Sequence, residues 1–232
     1  VRFTSPHPKD MRPETFAVMA EVPTICEHLH YPLQSGSDRI LAIMHRGYNA
    51  ERYLEKLHQA RQLIPDLAVS TDIIVGFPGE TDADFDSTCE LSQKIGFFKM
   101  HLFPYSPREG TPAASLKDPV PAPVKLLRRK ILEQIEQENL QKYQQRLLGI
   151  NEHILVESKS VKRSGWVEGT SSRGIRVMLP GMIEAVRRKM IPVKIIGVYQ
   201  GMLEAEPLPY QETDELILLQ AKQRMPLALI SV

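Results

Sequence analysis

Four polar side chains on strand-like stretches, His28, His30, Asp72 and His101, carry the most legible chemistry of this chain. Imidazole titrates near neutral pH and carboxylate accepts protons or cations. Such a set therefore suits proton transfer, recognition of a polar ligand or metal ligation. Strand parity puts His28, His30 and Pro32 on one face of Glu27–Leu33, opposite Leu29, Tyr31 and Leu33. In Ala68–Val75, Ser70 and Asp72 share a face, against Val69, Thr71, Ile73 and Val75. In the strand from Phe98, Lys99, His101 and Tyr105 oppose Met100 and Leu102. A purely structural parallel strand is apolar on both faces, so three strands with one polar face each predict a lumen that holds something polar. A buried histidine satisfied by a backbone carbonyl is the commoner arrangement for any one of them, but four residues would each need it. No HxxxH, and no HxH with an acid on one strand tip, completes a metal motif, and no metal ligand set is assigned.

The run AVSTDIIVGFPGET (68–81) positions part of this set. A β-rich stretch ends in a Gly-Phe-Pro-Gly turn that opens onto a helix, with Thr81 as N-cap and Asp84 three residues on, a capping box before Phe85. Gly76 and Gly79 let backbone approach a ligand, and the helix start offers free N–H groups and positive dipole potential. A tight turn serving only the fold explains the same residues about as often.

Elements of two kinds are needed around these residues. Strands are expected at Val1–Ser5, Glu27–Leu33, Ala68–Val75 and Phe98–Pro104. Helices are expected at Pro13–Glu21, Asp38–His45, Ala50–Ile64 (capped by Asn49, stopped by Pro65) and Asp82–Ile95. Such alternation implies an α/β fold with a parallel sheet and a site at the C-terminal strand ends. Four βα units are too few to close a barrel, so the sheet is open or lacks upstream strands. Val1, with no initiator Met, reads as the start of the C-terminal part of something longer, with VRFTS as an unpaired edge.

KDPVPAP (117–123) punctuates the chain. A helix is expected from about Val124 to Leu148, with Val124, Leu127, Ile131 and Ile135 as its apolar face and Lys125, Arg128, Arg129, Lys130, Lys142 and Arg146 solvated. Short β-runs follow at 153–157, 165–168, 175–179, 190–199 and 202–205, the texture of a small antiparallel barrel. From Ile150 to Glu206 there are nine Lys/Arg against six Asp/Glu, although the 232-residue chain has a net charge of only +1. Lys162, Arg173, Arg187, Arg188 and Lys189, with Trp166 among them, suit phosphate contacts and one stacking platform on RNA; a solubilising surface is the alternative. The domain reading is 1–122 for the α/β part, 123–149 for the helix, 150–207 for the barrel and 208–232 for a tail with an amphipathic hint at Leu216 and Leu219. Cys26 and Cys89 have no CxxC spacing and point to a reducing compartment. No apolar run reaches the length of a membrane span and no signal peptide leads the chain, so a cytoplasmic location is expected.

Four ordered motifs, RFTSPHPKDM (2–11), CEHLHYPLQSGSDRILAIMHRGY (26–48), STDIIVGFPGET (70–81) and PYSPREGTPAA (104–114), resemble the radical S-adenosylmethionine methylthiotransferases of the MiaB type. The basic barrel is similar to their TRAM domain, an OB-like RNA-binding module. The resemblance spans about residues 1–206. It implies the second half of a TIM-like (β/α) radical SAM barrel followed by TRAM. It also implies addition of a methylthio group to C2 of N6-isopentenyladenosine at position 37 of tRNA, with S-adenosylmethionine, [4Fe–4S] clusters and an electron donor. HLFPYSPREGTPA is also similar to relatives acting on threonylcarbamoyladenosine. The family's CxxxCxxC is absent from this sequence, so its ligands are expected upstream, no catalytic residue is assigned, and this polypeptide alone is expected to be inactive. By the same resemblance Thr4, Ser5, Gln34, Ser35, Gly36, Gly76, Phe77 and Gly79 lie on the cofactor side. His28, His30, Asp72 and Tyr105 line the lumen, and Arg108 meets phosphate of the tRNA anticodon stem-loop. The competing readings are a non-catalytic RNA-binding protein with a degenerate barrel and a metal-dependent barrel hydrolase with zinc at His28/His30.

Overall fold

A computed structural model describes residues 1–4, 6–117 and 119–209, with only the backbone of 184 and 185. Ser5 and the amphipathic hint at Leu216 and Leu219 lie outside the described residues. The described residues divide into two compact units: Arg2–Ala17 with His28–Arg146, and Val1 with Val18–Glu27 and 147–209.

In the larger unit, β1 (His28–His30), β2 (Ala68–Val75) and β3 (Lys99–Pro104) form a parallel sheet in that order. β2 is central and almost wholly buried, as its Val/Ile content requires. Helix α1 (Pro13–Glu21) runs as its Pro-led start predicts. Helices α2 (Asp38–Ile43), α3 (Ala50–Leu63) and α4 (Asp82–Ile95) start at side-chain caps from Ser37, Asn49 and Thr81. Thr81 and Asp84 form the full capping box, and Gly96 ends α4 in the left-handed conformation.

Three expectations need correction. Val1–Ser5 forms no strand among its described residues; the Val1 carbonyl takes one bond, from the Cys26 N–H, rather than a ladder. β1 stops at His30, short of Leu33. Beyond it the backbone still meets β2 through Gln34, which donates its N–H to Asp72 and accepts from Ile74, but with Gln34 at φ 68°. Tyr53 and Tyr48 hydroxyls donate to the carbonyls of Tyr31, Pro32 and Leu33, holding this irregular stretch in place.

The third correction concerns α5 (Ala122–Arg146). Its buried side is Arg128, Leu132, Ile135, Asn139 and Tyr143, whereas Leu127 is 59% and Ile131 39% exposed. Only Ile135 of the expected apolar face is inside. A helix this rich in charge has no sharp hydrophobic side, so specific partners decide its rotation. Arg128 Nη1 and Nη2 reach Glu80 Oε2 at 2.6 Å and Asp82 Oδ1 at 2.7 Å, and the Asn139 amide donates to the Ser92 carbonyl. Arg128 is therefore buried, not solvated.

In the other unit, β4 (Asn151–Lys159), β5 (Trp166–Ser171), β6 (Arg176–Pro180), β7 (Met190–Tyr199) and β8 (Met202–Pro207) close a barrel in the order β4-β5-β6-β8-β7. A one-turn helix, α6 (Ile183–Val186), joins β6 to β7. The barrel is mixed rather than purely antiparallel, because β6 and β8 pair in parallel where it closes. β4 alternates buried and exposed residues, one face in the core and one in water. Gly169 permits the tight β4–β5 crossing: a Cβ there would sit 2.2 Å from the Leu155 carbonyl oxygen, next to the bulge between Val156 and Ser158.

Candidate functional site

Register builds the polar face. His30 lies beside Ser70, and Asp72 beside His101, in neighbouring parallel strands. Residues two apart on a strand share a face, so His28, His30, Ser70, Asp72 and His101 converge on one side of the sheet. Leu29, Val69, Thr71 and Met100 are buried on the other. Ser70 Oγ sits 2.9 Å from both His28 Nε2 and His30 Nδ1, and His30 Nε2 lies 3.3 Å from Asp72 Oδ1. The His30 and His101 rings meet edge to face at 5.5 Å. His30 is buried, Asp72 half-buried and His101 exposed, which leaves the face open to solvent at the β3 side. Burial, with Arg2, His30 and His101 nearby, pushes the His28 imidazole down to about 4, so it is neutral at pH 7. His28 Nδ1 has no hydrogen-bond partner among the described residues.

The face thus unites three of the four lumen residues expected from the sequence with Ser70 and His101. The parity of these two was visible in the sequence, but their place in the cluster depends on strand register. Tyr105, just past β3, has a buried hydroxyl without a partner among the described residues and packs its ring edge-on to Phe77 at 5.2 Å.

The cofactor-side candidates divide. Gln34 is half-buried with a left-handed backbone that its neighbours must enforce. Gly76 (φ 73°) donates its N–H to Glu80 Oε2, and a Cβ there would lie 2.5 Å from the Lys125 side chain. Gly79 faces open space. Burial raises the Glu80 carboxyl, against the Gly76 N–H and Arg128, which lower it. Ser35 and Gly36 instead pack against α4: the Gly36 N–H donates to Thr88 Oγ1 at 2.9 Å, and a Cβ on Gly36 would lie 2.5 Å from Thr88 Cα. Phe77 is 4% exposed, its ring used in packing. Thr4 is exposed and outside any element.

Among the RNA candidates, Arg108, Lys162, Arg187, Arg188 and Lys189 are exposed. Lys162 Nζ donates to the Gln200 carbonyl at 2.8 Å. The last three flank the end of α6, their backbone bonded to Ile183, Val156 and Val186. One expectation is corrected. Arg173 is only 8% exposed and forms ion pairs with Glu27 and Glu152, so it braces the unit instead of presenting charge. The half-buried Trp166 carries the Arg163 guanidinium over one face of its ring, 3.9 Å from the centroid.

Neither cysteine suits iron–sulfur ligation. Burial, with Asp86 and Glu80 close by, pushes the Cys89 thiol up to about 11, the reverse of a ready thiolate, and two cysteines are fewer than one cluster's set. A nucleoside-type ligand finds a better match: the orphaned Tyr105 hydroxyl, the Gln34 side chain and the open space at Gly79 lie on or beside the strand tips.

Residues 1–92 match the Radical SAM superfamily. A tRNA-2-methylthio-N(6)-dimethylallyladenosine synthase of Methylacidiphilum infernorum is 41% identical over 208 residues, 90% of this chain and 44% of that protein. Proteins of the same name from Burkholderia thailandensis and Paraburkholderia phymatum are 43% and 40% identical. They cover 89% and 92% of this chain and 46% and 47% of their own length. The chain spans about half the length of the curated relatives it matches. Among the described residues, no helix is long and apolar enough to cross a membrane.

Proposed function

From the match of residues 1–92 to the radical SAM superfamily, we propose that this chain serves a tRNA methylthiotransferase that adds a methylthio group to C2 of N6-isopentenyladenosine at position 37. The observation that carries the reading is the 41–43% identity, over about nine-tenths of the chain, to synthases named for the dimethylallyl precursor. Dimethylallyl and isopentenyl here denote the same substituent, and that name favours it over threonylcarbamoyladenosine.

S-adenosylmethionine and [4Fe–4S] clusters, reduced by an electron donor, supply the radical and group-transfer chemistry of such an enzyme. The residues of this chain bind and orient. Gln34 and the backbone at Gly76 and Gly79 would hold the nucleoside cofactor, Thr4 and Ser5 are further candidates, and the Tyr105 hydroxyl would gain in that ligand the partner it lacks among the described residues. Ser35, Gly36 and Phe77 fix the shape of these tips from behind. His28, His30 and Asp72 form the polar face turned toward the target nucleotide. In the barrel, Lys162, Arg187, Arg188 and Lys189 meet phosphates of the tRNA anticodon stem-loop; Arg108 is a separate candidate for a phosphate contact. The cytoplasm, where tRNA is modified, is the corresponding location.

Binding of three anticodon stem-loops, with isopentenyladenosine, threonylcarbamoyladenosine or plain adenosine at position 37, tests this by fluorescence anisotropy. The isopentenyl form should bind tightest. Equal affinities would remove the substrate assignment, and no binding at low salt would remove the RNA reading altogether.

A further inference from the structure

His30, Asp72 and His101 each bring one ligand atom to a common region of the polar face, and those atoms all lie within 4.8 Å of one another. We propose that these three residues form a binding site for a divalent transition-metal ion of the zinc or ferrous type, with coordination positions left open. This inference rests on the geometry of the sheet and is independent of the methylthiotransferase reading.

The donor set comes first. Two imidazoles and one carboxylate suit zinc, cobalt or ferrous iron, whereas magnesium and calcium prefer all-oxygen shells. Spacing comes second. Tetrahedral ligands at bond lengths of about 2.0–2.2 Å lie about 3.3–3.6 Å apart, and His30 Nε2 is 3.3 Å from Asp72 Oδ1. His101 stands beside Asp72 in register and is exposed, so its ring turns toward the same point at little cost.

Orientation is the third argument. A metal-bound histidine ordinarily gives its other ring nitrogen to a fixed partner. His30 Nδ1 has one in Ser70 Oγ at 2.9 Å, and Ser70 is itself held by His28 Nε2 at 2.9 Å. With Nδ1–H donating to Ser70 and the Ser70 hydroxyl donating to His28, the His30 Nε2 lone pair is free for an ion. The three ligands come from three adjacent strands of one sheet, a rigid support. The gradient from buried His30 to exposed His101 leaves the ion's outer side open to water or to a donor atom of a bound ligand.

Without an ion, the same residues form only a hydrogen-bonded cluster, and metal binding separates the two cases. The 232-residue chain, stripped with chelator, is titrated with Zn²⁺ by calorimetry and with Co²⁺ by visible absorption. One equivalent should bind, Co²⁺ should develop d–d bands, and millimolar Mg²⁺ should not compete. His101→Ala and Asp72→Asn should each weaken Zn²⁺ by about tenfold or more, and Ser70→Ala by about tenfold through loss of ligand orientation. His58→Ala, on α3 and bonded to Gln62, should bind as the parent does. His30→Ala should abolish Zn²⁺ binding; should it fail to fold by circular dichroism, the His101→Ala and Asp72→Asn variants still decide. Absence of stoichiometric Zn²⁺ binding by the folded chain overturns the proposal. So does unchanged affinity in both His101→Ala and Asp72→Asn.

Discussion

At the residue scale, Asp84 ties two helix starts together. Its carboxylate accepts from Ser37 Oγ at 2.6 Å, Thr81 Oγ1 at 2.6 Å, the Thr81 N–H at 2.9 Å and the Arg39 guanidinium. Burial alone would raise this carboxyl, but the bonds from Arg39, Ser37 and Thr81 outweigh it and hold it well below the usual 3.8. A carboxylate depressed in the fold stabilises it above the unfolded value and loses that contribution as acid protonates it. Asp84→Asn should therefore cost about 2–3 kcal/mol at pH 7. The gap to the parent should narrow as pH falls below 3.8 toward the depressed folded value, as followed by urea denaturation. Gly36 is a second such point. Gly36→Ala places a methyl 2.5 Å from Thr88 Cα and 2.6 Å from the Ser87 carbonyl oxygen, atoms of helix backbone that do not yield. A loss of about 1–3 kcal/mol is expected from the same measurement.

At the element scale, α5 discriminates between hydrophobic pattern and specific pairing. Leu132 is fully buried and Leu127 largely exposed. Leu132→Ala should destabilise by about 2–5 kcal/mol and Leu127→Ala by less than about 0.5 kcal/mol. Equal effects would mean that the helix turns its other side inward in solution. Arg128→Met strands Glu80 without its partner in the interior and should cost about 3–5 kcal/mol, much of it recovered in the Arg128→Met/Glu80→Gln double variant. The Gly76–Gly79 turn depends on this pair, since Glu80 holds the Gly76 N–H. Loss of the pair should therefore loosen the turn, seen as faster amide exchange at Gly76.

At the scale of the whole molecule, the near-neutral net charge means that the proposed RNA binding must rest on local clusters. Arg187, Arg188 and Lys189 are exposed together beside α6. Their joint replacement by Ala should weaken binding of an anticodon stem-loop and flatten the salt dependence by about one unit per lost contact. Arg173→Ala should act oppositely. Its partners Glu27 and Glu152 lose their counter-charge, so the melting temperature falls while the salt slope stays as in the parent. An Arg173 variant with intact stability and a reduced slope would return it to the proposed RNA contacts.

The sequence alone determined what repeats with a period or caps by chemistry. β2 and α4 have the bounds read from hydrophobic pattern, the Thr81–Asp84 box closes as its spacing requires, and parity pairs His28 with His30 on β1 and Ser70 with Asp72 on β2. Parity is a property of one strand, which is why it survives without knowledge of neighbours. Only the tertiary structure decided what depends on register and rotation between elements. His101 joins Asp72 because β3 pairs with β2 at that offset, and α5 turns Arg128 inward because Glu80 and Asp82 wait there. Arg173 leaves the surface because two distant glutamates enclose it, and β8 runs parallel to β6 because closure demands it. A charged side chain's environment is the sum of partners far along the chain, and a local window of sequence holds none of them.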